Sequence, residues 1–396
     1  MLQAKTNDGK LITLATLTTS EIAALKTRRQ FYCPVCQERV VVKAGTKMVA
    51  HFAHLKKENC PSSEGGEGAY HAKGKLMLFE WLQRLRLDVQ LEAYLPEIKQ
   101  RPDLLITIDH KQIAVEYQCA RISAKEIRKR NIGYQRLGIQ PIWIIGANHF
   151  RRLSRHHIKL DHFQCQFLHQ FTPQSPLTCY FFSPDTQTLI RFHDIYITGT
   201  QQALGKLHFC KLRNMNFLDL FSQDRLSKQK LYSLWVREKS YFRMRPRNQI
   251  SRKELAWQQW LYLKRTHAEY LPSIIHLPVS AQYRMYSPLW NWQSRICLEL
   301  LEPLPIGGHI SHVTCMHLLR QHIISSADLP LTHSGSDPIQ QYLLLLTQFH
   351  LLKQESLGHF TKQSHLKFYS NVEEAMKGDK MLLDVLSAKN TAKIQA

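Results

Sequence analysis

Acidic residues are scarce in this chain. Asp and Glu number 31 against 53 Lys and Arg, a formal net charge of +22 over 396 residues. An excess of that size points to a polyanionic partner, nucleic acid first, although ribosomal contacts or anionic lipid would give the same count. Long uncharged apolar runs are absent, which excludes a membrane-spanning helix. Met1 to Thr19 holds no apolar segment followed by a small-residue cleavage site, so no secretory signal is read and a cytoplasmic protein is expected. The cysteines, nine in all, are odd in number; Cys119, Cys165, Cys179, Cys210, Cys297 and Cys315 stand singly, which excludes a disulfide framework and fits a reduced compartment. There is no internal repeat, and no helix-turn-helix signature of a sequence-specific duplex reader.

What is present begins with a cysteine and histidine cluster. Residues 1–62 read as short strands and turns carrying Cys33-Pro-Val-Cys36, then His51-Phe-Ala-His54, then Cys60. Two thiolates two residues apart grip one zinc from a tight knuckle, and a second pair closes a tetrahedron. The alternative is that the cysteines are buried small hydrophobes, but a segment this small has too little apolar material for a core of its own. Cys33, Cys36, His54 and Cys60 are the expected ligands of a structural Zn2+; His51 competes, although it and His54 point to opposite faces of a strand.

Pro61 to Gly68 is a Ser/Gly-rich joint. After it the spacing predicts a helix from Glu67 to Arg86, with Leu76, Phe79, Leu82 and Leu85 on its apolar face. Strands follow at Leu87 to Tyr94, Asp103 to Asp109 and Gln112 to Ala120. Ser123 caps a basic helix to about Leu137, Gly138 ends it, and Ile139 to Gly146 reads as a buried central strand. Residues 63–155 thus form one unit of helix, three meandering strands, helix and strand. A hairpin of Leu177 to Phe182 and Thr188 to Tyr196 makes 156–200 an extension or linker. From about Leu204 the pattern is helical, so 201–396 is expected to be a helical domain, frayed from Ser387.

The chemistry concentrates at Arg101-Pro102-Asp103 and Glu116-Tyr117-Gln118. A hairpin turning at Asp109-His110-Lys111 brings Asp103 to Glu116, and strand alternation puts Glu116 and Gln118 on one face. Paired carboxylates in a basic protein suggest Mg2+ or Mn2+, and a metal beside a phosphate suggests phosphodiester hydrolysis. Glu116 lies in an otherwise apolar strand, where an unpaired carboxylate would cost on the order of several kcal/mol; a metal removes that cost. Glu67, His71 and Lys75 share one helical face and offer a third carboxylate, an imidazole and a cation for phosphate, against the plainer reading of a solvated face. Arg128, Lys129 and Arg130, in the helix Lys125 to Tyr134, suit backbone phosphates, with Tyr134 a fourth candidate DNA contact and the same plain alternative. Tyr241 to His267 interleaves basic residues with Trp257, Trp260 and Tyr262, as in a single-strand groove or an amphipathic helix packing its aromatics inward.

Together these residues resemble the competence protein CoiA family, whose central domain belongs to the PD-(D/E)XK nuclease superfamily. The resemblance rests on the CPVC and HFAH segment, the Glu67 to Lys75 helix, the Pro102-Asp103 and Glu116-Tyr117-Gln118 motifs, and the helix with Arg130 and Tyr134. It extends to the apolar strand with Trp143 and to Trp292-Gln293 after Leu277-Pro278. It implies an α/β restriction-endonuclease-like core (αβββαβ) with a small N-terminal zinc-knuckle module and a mainly α-helical C-terminal domain. It also implies action on incoming, single-stranded DNA during natural transformation in Gram-positive bacteria, beside recombination and competence proteins. Carried onto this chain, Asp103 and Glu116 are the metal ligands, the Tyr117 carbonyl adds a third, and His71 with Glu67 completes the set. Gln118 departs from the superfamily, which usually has lysine there. An amide cannot lower the pKa of an attacking water; it orients the water, leaving charge to Lys75 or the metal. The alternative is a nuclease fold kept as a DNA platform that recruits recombination proteins without turnover.

Overall fold

Alternating apolar residues build a small antiparallel sheet at the N-terminus of this computed structural model, which describes residues 1–14, 17–28, 30–45, 48–55, 60, 68–244, 251–333 and 335–392. Glu67 and most of the Pro61 to Gly68 joint lie outside the described residues. The sheet comprises β1 (Gln3–Thr6), β2 (Leu11–Thr13), β3 (Phe31–Tyr32), β4 (Arg39–Gly45) and β5 (Met48–His54) in the order β2-β1-β3-β4-β5, with α1 (Thr19–Arg28) between β2 and β3. Its core is slight, chiefly Phe31, Cys33, Val40, Val42 and Phe52.

The central unit follows the order read from the sequence: α2 (Ala69–Arg84), β6 (Asp88–Leu91), β7 (Leu104–Ile108), β8 (Lys111–Gln118), α3 (Ala124–Arg136) and β9 (Gln140–Gly146). β6, β7 and β8 form an antiparallel meander, and β9 lies parallel to β8. The β7–β8 turn is made by Asp109 and His110 at φ 45° and 64°, the positive φ that a two-residue hairpin demands. Ser123 caps α3 by accepting the Glu126 amide at 3.2 Å.

The chain then continues the same sheet. β10 (Arg151–Arg152), β11 (His157–Lys159), α4 (His162–Cys165), β12 (Thr178–Ser183), β13 (Thr188–Ile197) and β14 (Gln202–Lys211) complete nine strands in the order β10-β11-β14-β13-β12-β9-β8-β7-β6. The hairpin expected as a linker is instead central: β12 pairs in parallel with β9, and Tyr180, Phe181 and Phe182 are fully buried. The physical reason is that β9 is apolar on both faces, so its free edge needs a strand as apolar as itself. Residues after Leu204 likewise begin as a strand, not a helix.

Helices α5 (Lys228–Met244), α6 (Arg252–Leu263), α7 (Leu289–Arg295), α8 (His312–Leu319), α9 (Pro338–Gln348) and α10 (Val372–Ala392) follow, with a small sheet of β15 (His309–Ser311), β16 (Leu352–Ser356) and β17 (His359–Lys362). α2 covers one face of the large sheet through Leu78, Phe79, Trp81 and Leu82. On the other face Trp143, Phe181 and Phe192 share a core with Trp235, Trp257 and Trp292 of the helices. Trp257 therefore points inward, as an amphipathic helix requires, while Tyr262 is exposed. No helix among the described residues is long and apolar enough to cross a membrane.

Candidate active site and metal centre

Asp103 opens β7 beside the end of β8, and α2 packs over both. Helical spacing puts His71 and Lys75 on the face of α2 that meets them. His71 Nε2 lies 3.2 Å from Asp103 Oδ2, and the same oxygen accepts the Tyr117 amide at 2.9 Å. The Lys75 ammonium stands 3.4 Å from Asp103 Oδ1 and 2.5 Å from Glu92 Oε1. The His71 ring stacks on Tyr117, with centroids 5.6 Å apart and planes 7° apart. Gly74 makes this closeness possible: a Cβ there would lie 2.1 Å from the Tyr117 ring.

Burial opposes ionisation of Asp103, but the charges of His71 and Lys75 and the Tyr117 amide outweigh it and hold the carboxyl below its ordinary range. Glu92 behaves alike: burial raises it, while Lys75 and then Arg101 pull it down further. Glu92 is not among the candidates that the sequence pattern offers. Two signals were available, an acid at the end of an alternating strand and a lysine, Lys75, beside the apolar residues of an amphipathic helix. Glu92 Oε2 also accepts the Leu2 amide at 2.9 Å, which ties the N-terminal module to this cluster.

Glu116 faces the other way. Alternation along β8 sends it toward α3, where Arg130 and Tyr134 stand one turn apart. Arg130 donates to Glu116 Oε1 from Nη2 at 2.6 Å and from Nε at 3.1 Å, and the Tyr134 hydroxyl donates to the same oxygen. A guanidinium and a phenol, not a metal, thus compensate the buried carboxylate. Two expectations change as a result. Arg130 and Tyr134 are buried and engaged, so neither meets a phosphate backbone, and Arg128 is paired with Asp328; of the four predicted DNA contacts Lys129 alone is exposed. The Mg2+ or Mn2+ set is not gathered either: Asp103 and His71 stand together, Glu116 is held on the opposite side, and Tyr117 turns its amide to Asp103. Among the described residues, only the N-terminal cluster brings three or more such donors within 4.8 Å of one another. As arranged, these residues do not fit a catalytic divalent cation. Gln118 donates to the Ala120 carbonyl at 2.7 Å.

The N-terminal cluster is Cys33, Cys36, His54 and Cys60, the four ligands expected. Cys33 Sγ is 3.8 Å from Cys60 Sγ, and Cys36 Sγ is 3.3 Å from His54 Nε2. The knuckle after β3 closes through the Gln37 amide, which donates to the Cys33 carbonyl at 3.0 Å, and the Val40–His54 register delivers the end of β5 to it. His51 pairs with Lys43 farther along the hairpin and lies outside the group. Burial, with the neighbouring Cys33 and Cys60 thiols, pushes the Cys36 thiol up to about 12. Three thiols and an imidazole so placed fit a four-coordinate structural metal, whose charge would favour the thiolates.

Three family models match the chain: "Competence protein CoiA, N-terminal domain" over residues 14–63, "Competence protein CoiA, nuclease-like domain" over 67–225 and "Competence protein CoiA, C-terminal domain" over 231–376. Competence protein CoiA of Bacillus subtilis (strain 168) is 31% identical over 296 residues, covering 74% of this chain and 77% of that protein. No solved structure matches the chain. The nuclease-like match runs past the end of β14, in step with the continuous sheet.

Proposed function

The chain belongs to the competence protein CoiA family, and we propose that it is a cytoplasmic DNA-handling protein of natural transformation whose nuclease-like domain holds a single strand and presents it to recombination proteins. The charge of +22 supports a polyanionic partner. The observation that carries the platform reading is the engagement of Glu116 by Arg130 and Tyr134. With that carboxylate committed and Gln118 in place of a cation, the restriction-endonuclease-like core keeps its shape without an assembled hydrolytic set. The test is binding of a labelled single strand across a salt series: tight, salt-sensitive binding that Asp103→Asn leaves unchanged supports the platform, and affinity that collapses in this variant contradicts it.

A hydrolytic reading keeps one observation of its own. The Asp103 and His71 side chains are 14% and 17% exposed, so a substrate phosphate can approach them. It requires Glu116 to leave Arg130 and Tyr134 before Asp103, Glu116 and His71 can share Mg2+ or Mn2+, with Lys75 and Gln118 beside them.

Zn2+ at Cys33, Cys36, His54 and Cys60 would staple a module whose own core is slight. One zinc per purified chain, lost in Cys33→Ser and retained in His51→Ala, is the expected result of metal analysis.

A further inference from the structure

If the chain handles DNA, the strand needs a seat other than α3, whose Arg130 and Tyr134 are buried. The outer edge of the large sheet offers one. Arg151 of β10 and Lys159 of β11 are direct cross-strand partners. Like charges placed directly opposite each other are unfavourable, and an anion between them relieves the repulsion. Neither residue is in an ion pair among the described residues. Arg152 and Arg155 are exposed on the same hairpin.

Arg151 and Lys159 also line a cavity of about 320 Å3 between the sheet edge and α5, whose walls include Tyr241, Phe242, His276 and Trp290. Tyr241 is 54% exposed at the rim of this basic cleft, so its ring face is open to a base. His276 is 2% exposed; its Nε2 meets the Thr198 carbonyl at 3.3 Å, while Nδ1 has no hydrogen-bond partner. The acid in the wall, Glu238, stands 2.9 Å from His157 Nε2 through Oε1.

We propose that this cavity takes one unstacked base of a single DNA strand, with Tyr241 as the stacking platform and Arg151 and Lys159 on the flanking phosphates. Cations beside an aromatic face form the usual combination for single-strand binding. The inference rests on the DNA-handling proposal above and assigns its binding surface.

The experiment is fluorescence anisotropy of labelled oligothymidylate on the full chain, with a blunt duplex alongside. Arg151→Ala/Lys159→Ala is expected to lower the slope of log affinity against log salt by about 1.4, roughly 0.7 per lost single-strand phosphate contact. Tyr241→Ala should weaken single-strand binding about tenfold, and Tyr241→Phe should retain it. Lys129→Ala on α3 is the control and should change little. All positions varied are at the surface or a cavity rim, and matching melting curves check that each variant folds. Tight wild-type binding untouched by these substitutions, or equal losses on duplex and single strand, overturns the assignment while leaving DNA handling intact. A wild-type chain that binds neither DNA overturns both.

Discussion

Asp103 and Glu116 sit one hairpin apart and carry the same functional group, yet they are stabilised in opposite ways. Asp103 meets His71, Lys75 and a backbone amide from the α2 side and keeps a partial opening to solvent. Glu116 meets Arg130 and Tyr134 from the α3 side and is 4% exposed. The difference teaches that a carboxylate in an apolar strand establishes only that a compensating charge exists. Which charge it is, an organic cation or a metal, is decided by the helix that packs over that face. The guanidinium and the phenol converge on one oxygen, Oε1, and supply the charge that the buried carboxylate needs.

The comparison can be broken most forcefully at its cations. Arg130→Met removes the guanidinium from buried Glu116, and should cost about 3–5 kcal/mol in urea unfolding; Lys75→Met, which takes the ammonium from Glu92 and Asp103 together, should cost a similar amount. Adding Glu116→Leu to Arg130→Met should recover most of the loss, and a single substitution costing under about 1 kcal/mol would show that the pair is not the compensation.

The next effect is one of pH. Asp103 and Glu92 are held below their ordinary values of 3.8 and 4.5, so the unfolded chain takes up their protons first as pH falls. The stability they confer is present above that range and lost below it, and Asp103→Asn should flatten the acid limb of a stability–pH curve. His169 and His276, held neutral by burial with values lowered from 6.5 to about 4, drain stability earlier, as pH falls from 6.5 toward 4. Each contributes up to about 3 kcal/mol by linkage. The difference between wild type and Asp103→Asn isolates the carboxylate. The smallest expected effect sharpens the comparison from the chemical side: Gln118→Lys alone should leave DNA cleavage at background, because the added cation does not free Glu116 from Arg130.

Much of this was legible in the sequence. The order of α2 to β9, the hairpin turn, the Ser123 cap and the gathering of Cys33, Cys36, His54 and Cys60 follow from periodicity, turn chemistry and thiol spacing. His51 drops out through the β4–β5 register, which strand alternation hinted at but did not decide. What was not legible is tertiary. Glu92 acquires meaning only once β6 sets it against Lys75, and the Glu116–Arg130–Tyr134 triad joins a strand to the helix after it. β12 joins the large sheet because β9 leaves an apolar edge, a demand that a local pattern does not display.

The most direct test of the account is cleavage of single- and double-stranded DNA by the purified chain with Mg2+ or Mn2+, beside Asp103→Asn and an EDTA blank. The account predicts that wild type binds the single strand and cleaves it no faster than the variant or the blank. Metal-dependent cleavage that disappears in Asp103→Asn would contradict it and show that Glu116 leaves Arg130 to build the site.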